Sequence, residues 1–244
     1  MVIVARRVLG WLKGLFDVDR MLVVATVVGL GVAAGCSVVI AKLLDDVMGG
    51  EDAAQLDPRI LSVVVEHRND ALTSFFTTVT NLGDPLVVTA VAVFVVVALL
   101  PVNRRLATVV ALSTTGTVVI TTVAKAVVDR PRPPEALWLD VASGPAFPSG
   151  HSAQSVALYG AIALVVWHLA RPMWVRIGAV VVAASIALAV GASRVYLAVH
   201  WPSDVLCGWA IAGLWLTMLL LIGWALPRWW GHHNTGVIWN LSAR

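Results

Sequence analysis

Stretches of apolar residues alternate with short polar breaks along most of the chain. Six of these stretches approach the roughly 20 mostly apolar residues that a helix needs to cross a bilayer. The breaks between them carry turn or charge signals, such as Asn103-Arg104-Arg105 and Trp201-Pro202-Ser203. The predicted spans are residues 21–43, 84–102, 106–127, 151–170, 176–197 and 204–226. The pattern therefore predicts an all-α fold, a bundle of six transmembrane helices.

Composition supports a membrane protein and narrows the classes of function. The 244 residues are 59% hydrophobic and only 13% charged, whereas soluble domains carry about 25% charged residues. A net charge of +3, with no basic patch, argues against nucleic acid as a partner. The two cysteines, Cys36 and Cys207, fit neither a disulfide framework nor a metal-ligand spacing.

The basic residues predict the direction of the bundle, because cytoplasmic loops are enriched in Lys and Arg. With the N-terminus inside, ten of the 17 basic residues fall on the inner side, and the reverse direction would place them outside. These ten are Arg6, Arg7, Lys13, Arg20, Arg104, Arg105, Arg171, Arg176, Arg228 and Arg244. We therefore predict a protein of the bacterial cytoplasmic membrane with both termini inside.

Three regions follow from this layout. Residues 1–20 are predicted to form an amphipathic segment on the cytoplasmic surface, 21–226 the membrane domain, and 227–244 a cytoplasmic tail. We expect the first span to be retained rather than removed as a signal peptide.

Residues 44–83 form the long outer connection, which begins with an acidic stretch that we expect to be flexible. Pro58 is predicted to open a helix that carries Ile60, Val63, Val64 and His67 on one face. This helix would lie on the membrane surface or fold back toward the functional residues. The alternative is a solvated lid without a catalytic part.

The first chemical segment runs from Lys125, at the end of the third predicted span, to Pro133. Lys supplies a point charge, and Arg132 supplies a planar fork for two phosphate oxygens. The alternative is a snorkelling Lys with arginines at the interface. Arg130 is the weaker candidate, whose alternative is a contact with lipid headgroups.

The second segment, Pro148–His151, precedes a predicted helix. The free N–H groups of a helix start favour anions, and Gly150 allows a ligand to approach the backbone closely. Ser149 could cap the helix, donate to phosphate, or do both. His151 is a candidate general acid.

The third segment contains Arg194, His200 and Asp204. A carboxylate four residues after a histidine could accept from one imidazole nitrogen and leave the other free to attack. The alternatives are an interfacial His200 and an Asp204 that only stabilises a helix start. We assign no catalytic role to the remaining histidines, which are His67, His168, His232 and His233.

At these residues the chain closely resembles the type 2 phosphatidic acid phosphatase (PAP2) superfamily. The three parts of that family's signature, K-x6-R-P, P-S-G-H and S-R-x5-H-x3-D, match at every fixed position. The resemblance implies a membrane phosphatase without metal or cofactor. It also implies that His200 becomes phosphorylated, that Asp204 orients it, and that His151 protonates the leaving oxygen and then activates water. The groups that would hold the phosphoryl oxygens are Lys125, Arg132, Ser149, the Gly150 backbone N–H and Arg194.

The family's range of substrates leaves several functions open. With the N-terminus inside, all three chemical segments are predicted to fall at the outer end of the bundle, so the active site would face outward. An outer-facing site favours recycling of undecaprenyl or decaprenyl diphosphate, with phosphatidylglycerol phosphate or phosphatidic acid as the alternative substrate. A lipid phosphotransferase would use the same residues. A transporter is disfavoured, because matching broken spans in two halves are not seen in the sequence. The partners expected are a lipid phosphate and the bilayer, and the oligomeric state stays open.

Overall fold

The protein is all-helical, as the hydrophobic pattern predicts. The computed structural model describes residues 20–50 and 52–230, and this part of the chain contains helices and turns but no strand. The helices are α1 (Arg20–Gly49), α2 (Asp52–Glu66), α3 (Asp70–Val79), α4 (Pro85–Leu99), α5 (Arg104–Val128), α6 (Gly150–Leu169), α7 (Met173–Tyr196) and α8 (Pro202–Trp230). The amphipathic segment predicted for residues 1–20 and most of the predicted tail lie outside the described residues.

Five of the described helices, α1, α5, α6, α7 and α8, are long and apolar enough to cross a membrane. A sixth span exists only when the stretch Asp70–Gly83 is joined to α4, from which it is bent by 48°. The predicted span 84–102 is therefore built differently from the expectation. The cause lies at the bend, where Asp84 caps α4 by accepting from the Leu86 N–H at 2.8 Å and Pro85 begins the new helix.

Residues 44–83, which the sequence predicts as the outer connection, are more ordered than that prediction. Helix α1 continues through Asp45 and Asp46 and ends at Gly49, followed by Gly50 with φ of +72°, a conformation that favours glycine. The prediction of a flexible acidic start was therefore wrong for these two aspartates. They extend a helix that packs along α8.

The prediction for Pro58 was also wrong, because α2 begins at Asp52 and contains Pro58 in its interior. A proline inside a helix removes one backbone hydrogen bond. The neighbouring Asp57 accepts from the Ser203 N–H of α8 at 3.0 Å and so ties this part of α2 to the bundle. The buried face is marked by Asp57 and Leu61, one turn apart and each 2% exposed, whereas Ile60 and Val63 on the predicted face are exposed. Helix α2 thus folds back onto the bundle, as one of the predictions for this connection expected, and is not a solvated lid.

Helix α6 is the centre of the bundle and packs against α4, α5, α7 and α8. Its buried side chains are mostly small, which lets neighbouring backbones approach closely. Where α8 passes the start of α6, a Cβ added to Gly208 would lie 2.6 Å from the Ser149 carbonyl oxygen, so only glycine fits. The Ser149 N–H also donates to the Asp204 carbonyl at 2.9 Å. These contacts bring the second and third chemical segments together.

Residues 129–149 connect α5 to α6 and cover the same end of the bundle. Asp129 ends α5 in the left-handed conformation, with φ of 44°. The connection is fixed at both ends, because Ala146 N–H donates to the Arg130 carbonyl at 2.8 Å and Leu139 N–H donates to the Leu197 carbonyl at 3.0 Å. This loop therefore holds the residues after Lys125 against those before His200.

Candidate active site

A single cavity of about 590 Å³ brings together residues from all three chemical segments. The predicted site residues that line it are Lys125, Arg132, Gly150, His151, Arg194 and His200. Lys125 comes from the last turn of α5, and His151 from the first turn of α6. Arg194 comes from the last turn of α7, and His200 from the connection to α8. Four elements of the fold therefore converge on one cationic pocket.

His200 is held from both sides of its imidazole. Its Nδ1 lies 3.4 Å from Asp204 Oδ2, and its Nε2 lies 3.2 Å from Arg132 Nη1. A guanidinium can only donate hydrogen bonds, so Nε2 must be the acceptor and Nδ1 must carry the proton toward Asp204. The unprotonated nitrogen therefore faces the cavity's cations.

Burial shapes the chemistry of His200, which is 2% exposed. Loss of water lowers its pKa to about 4, against the opposing effect of Asp204, and the positive charges of Arg132 and Arg194 lower it further. The imidazole is therefore neutral at pH 7, which is the form of a nucleophile.

Arg132 is fixed by the loop that covers the site. Its Nε donates to the Gly144 carbonyl at 2.9 Å, Nη2 to the Ser143 carbonyl at 2.9 Å, and Nη1 to the Val199 carbonyl at 2.5 Å. Lys125 Nζ donates to the carbonyl of Pro145 in the same loop. Both cations are thus positioned by backbone carbonyls before any anion binds.

Arg194 has a carboxylate partner that sequence reasoning missed. Its Nη1 donates to Asp140 Oδ2 at 2.7 Å and to Thr80 Oγ1 at 2.8 Å. Its Nε is buried and has no hydrogen-bond partner among the described residues. No local spacing pointed to Asp140, because it lies in the irregular loop and meets Arg194 across 54 positions of sequence.

Ser149 acts as the cap of α6. Its Oγ accepts from the Ser152 N–H at 3.4 Å and lies 2.9 Å from Ser152 Oγ. The side chain is fully buried and does not line the cavity, so a direct bond from Ser149 to phosphate stays a prediction without support from its position.

Arg130 binds two carboxylates instead of lipid headgroups, which corrects the interpretation given to it above. Its Nη1 lies 2.5 Å from Asp204 Oδ1, and its Nη2 lies 2.7 Å from Asp57 Oδ2. Sequence reasoning also missed Asp57, which reaches the site from α2.

Within residues 20–50 and 52–230 there is no group of three or more His, Cys, Asp or Glu side chains placed to hold a metal ion. The donors around the cavity are instead cations and imidazoles, which suit an anionic substrate.

The fold and the site together give a helical membrane bundle in which a histidine–carboxylate pair lies at a cavity lined by several cations, an arrangement suited to phosphoryl transfer. The profile described as the PAP2 superfamily matches residues 106–228, about half of the chain, and includes all three chemical segments. The chain belongs to this superfamily.

The chain is similar to two proteins whose names state different phosphatase activities. A curated undecaprenyl-diphosphatase from Sulfolobus acidocaldarius is 38% identical over 73 residues, which cover 30% of this chain and 31% of that protein. The match thus spans about a third of that relative's length. The crystal structure of a transmembrane PAP2-type phosphatidylglycerolphosphate phosphatase from Bacillus subtilis has a TM-score of 0.73 and 26% identity, covering 80% of this chain and 98% of that one.

A second solved structure supports the fold alone. Aquifex aeolicus LpxE superimposes with a TM-score of 0.55 at 21% identity, covering 68% of this chain and 94% of that one. This match shows that the second protein shares the helical architecture of the chain.

Proposed function

We propose that this multi-pass membrane phosphatase removes a phosphoryl group from a lipid phosphate by way of a phosphohistidine on His200. The observation that carries the proposal is the pair of contacts that His200 makes, from which its tautomer follows. Its protonated nitrogen faces Asp204 and its free nitrogen faces Arg132. That arrangement aims a neutral nucleophile at the place where bound phosphoryl oxygens would meet cations.

In the first step, His200 Nε2 forms a bond to phosphorus as the bond from phosphorus to the lipid-side oxygen breaks. His151, which takes up a proton when the anionic phosphate binds beside it, gives that proton to the leaving oxygen. The imidazole becomes positively charged, and the Asp204 carboxylate stabilises that charge through Nδ1–H. Lys125, Arg132 and Arg194 neutralise the oxygens of the transferring group, with the free Nε of Arg194 as an available donor.

In the second step, a water molecule attacks phosphorus and displaces His200. His151, now neutral, takes the proton from the water, and inorganic phosphate leaves. His200 recovers its lone pair, and His151 releases the proton as the phosphate leaves, so the enzyme returns to its starting state.

The shape of the cavity supports a substrate with a long apolar tail. From the cationic end it continues between α4 and α5, where it is lined by apolar and threonine side chains. These wall residues include Val88, Ala92, Val96, Ala111, Thr115 and Val118. A lipid phosphate could place its headgroup at His200 and its first carbons along this groove without leaving the bilayer.

For the substrate, we favour a polyprenyl diphosphate, which would be converted to the monophosphate at the outer face for reuse as a cell-wall carrier. Two points support this choice: the excess of basic residues that the sequence predicts for the cytoplasmic side, and the similarity to an undecaprenyl-diphosphatase. Phosphatidylglycerol phosphate is the second candidate, favoured by the structural match to the Bacillus subtilis enzyme.

The test is phosphate release by the purified protein in detergent with EDTA present. Polyprenyl diphosphate, phosphatidylglycerol phosphate and phosphatidic acid would be compared at matched surface concentrations. We expect activity with EDTA and a preference for the diphosphate. We also expect none in His200→Ala, with His67→Ala as the control, since His67 is exposed on the outer connection. Full activity in His200→Ala would overturn the mechanism, and a tenfold preference for a glycerolipid would overturn the choice of substrate.

A further inference from the structure

Arg130 bridges two buried carboxylates at the edge of the active site. One guanidinium nitrogen contacts Asp204 and the other contacts Asp57. Asp57 is 2% exposed and Asp204 is fully buried. Arg130 also lies over the Trp201 ring, at 5.6 Å from its centre. A side chain held in this way has little freedom to change partners.

Asp57 reaches this bridge from α2 and also contacts Ser203, which lies 146 positions later in the sequence. Its Oδ1 accepts from the Ser203 N–H at 3.0 Å, and its Oδ2 accepts from the Ser203 hydroxyl. The same hydroxyl oxygen accepts from Arg130 Nη1 at 2.7 Å. Since Ser203 is in the first turn of α8, Asp57 caps a helix to which it does not belong, and it fixes the segment that carries Asp204.

The bridge controls how Asp204 faces His200. Asp204 Oδ1 is held by Arg130, and its Oδ2 accepts from the Trp201 N–H at 2.8 Å. Oδ2 also faces His200 Nδ1 at 3.4 Å, a long distance for a hydrogen bond. Because that contact is long, a small rotation of the carboxylate would break it. Arg130 is the contact that opposes this rotation from the other oxygen.

The charges of the bridge also suit the proposed reaction. Asp57, Arg130 and Asp204 together carry a net charge of −1 in a place with almost no water. When His200 bonds to phosphorus its imidazole becomes positive, and a nearby net negative charge stabilises that state. If Asp57 were neutral, the three groups would sum to zero, and Arg130 would oppose the new positive charge more strongly.

From this geometry we propose that Asp57 and Arg130 are positioning residues for phosphoryl transfer, acting on His200 through Asp204. The proposal rests on the proposed function, because it concerns the same nucleophile. It gives the outer helix α2 a part in the reaction beyond packing.

The competing explanation is that Asp57 only docks α2 onto the bundle. Leu61 provides the matched control, since it lies one turn later on the same buried face of α2 and is equally buried. Leu61→Ala weakens the docking of α2 without touching the bridge. Asp57→Asn keeps the shape of the side chain and removes its charge.

The experiment measures kcat, KM and the unfolding temperature in detergent for wild type, Asp57→Asn, Arg130→Lys and Leu61→Ala, with phosphatidic acid and the preferred substrate. Inhibition by vanadate is measured in parallel, because a five-coordinate vanadate mimics the transferring phosphoryl group. We expect Asp57→Asn and Arg130→Lys to lower kcat at least tenfold and to weaken vanadate inhibition at least fivefold, with KM within twofold. Leu61→Ala should lower the unfolding temperature and keep kcat within twofold.

The possible outcomes separate the two proposals. Equal losses of kcat in Leu61→Ala and Asp57→Asn, or wild-type kcat in Asp57→Asn, would overturn the positioning role. The proposed function would still stand in that case, provided that the wild-type protein turns over substrate and His200→Ala does not. If Asp57→Asn does not fold, Arg130→Lys decides by the same criteria, since lysine keeps the charge but cannot bridge two carboxylates. A wild-type protein that releases no phosphate from any of the lipids would overturn the proposed function, and the positioning role with it.

Discussion

Arg132 Nη1 lies 3.2 Å from His200 Nε2, so a fixed cation faces the nitrogen that we propose attacks phosphorus. A hydrogen bond from Arg132 would block that nitrogen if it persisted during turnover. Phosphoryl oxygens are far better acceptors for a guanidinium than an imidazole nitrogen is. We therefore expect the substrate to draw this donor onto its own oxygens and to release the His200 lone pair as it binds.

Replacing Arg132 by Lys tests whether the planar fork is needed. A lysine ammonium keeps the charge but cannot donate at once to Gly144, Ser143 and Val199 and still reach phosphate. We expect kcat/KM for a lipid phosphate to fall about 100-fold, in the range found when one transition-state donor is lost. Arg105→Lys is the control, because Arg105 is exposed at the opposite end of α5 and should retain wild-type kinetics. Loss of less than threefold in Arg132→Lys would contradict the role.

The ion pair between Arg194 and Asp140 gives a prediction about substrate affinity. The Asp140 carboxylate occupies Arg194 at 2.7 Å and so competes with a phosphate for the same cation. Asp140→Asn removes the competing charge while Thr80 still holds the guanidinium. We expect KM to fall about fivefold, which corresponds to about 1 kcal/mol, the upper end of the energy of an exposed ion pair. Asp129→Asn, which removes a charge from an exposed position in the same loop, should leave KM within twofold. A raised KM in Asp140→Asn would show instead that this carboxylate orients Arg194 for substrate.

His200 predicts how stability depends on pH. Mainly because of burial, its pKa in the folded protein is lowered to about 4 from an ordinary value of 6.5. The unfolded chain therefore binds this proton more readily than the folded protein does, and protonation favours unfolding. The sign follows: the folded state is penalised as pH falls from 6.5 toward 4, by on the order of 3 kcal/mol at the acid limit, and is unaffected above pH 7.

The measurement is the unfolding temperature in detergent from pH 4 to pH 8 for wild type and His200→Asn, whose amide does not titrate. The difference in unfolding temperature between wild type and variant should be constant above pH 7. Below pH 6.5 the unfolding temperature of the wild type should fall relative to that of the variant. A difference that stays the same across the whole range would mean that His200 keeps an ordinary pKa in the folded protein.

The sequence was sufficient wherever function and position follow from local pattern. Apolar runs predicted α1, α5, α6, α7 and α8 to within a few residues at most ends, and fixed spacings within three short segments pointed to residues that the fold gathers in one cavity. Asp57 and Asp140 were missed for a common physical reason. Each is an ordinary acid in its own segment and gains its meaning only from a buried arginine far away in sequence.

Helix α2 shows the same limit. Its hydrophobic periodicity predicted a helix, but on the selected face Val64 packs against the core while Ile60 and Val63 are exposed. The buried side includes the charged Asp57 rather than only apolar residues. A pattern of apolar positions cannot identify a face that is buried through an ion pair. The bend between α3 and α4 was likewise hidden, since Asp84-Pro85 reads equally well as the start of an independent span.

The groove between α4 and α5 gives a test of where the lipid tail lies. Val118 lines this groove on α5, whereas Val119, the next residue, lines a separate groove formed with α1 and α8. Both side chains are more than half exposed on the surface of the isolated protein, so tryptophan can be accommodated at either position without overpacking the core.

We expect Val118→Trp to lower kcat/KM about tenfold for a long-chain lipid phosphate, because the indole fills space that the first carbons of the tail need. The same variant should act on a short-chain, water-soluble phosphate within twofold of wild type, and Val119→Trp should be unaffected with both substrates. Equal losses with long and short substrates would place the damage in the catalytic residues, and equal losses in the two variants would mean that the tail does not use this groove.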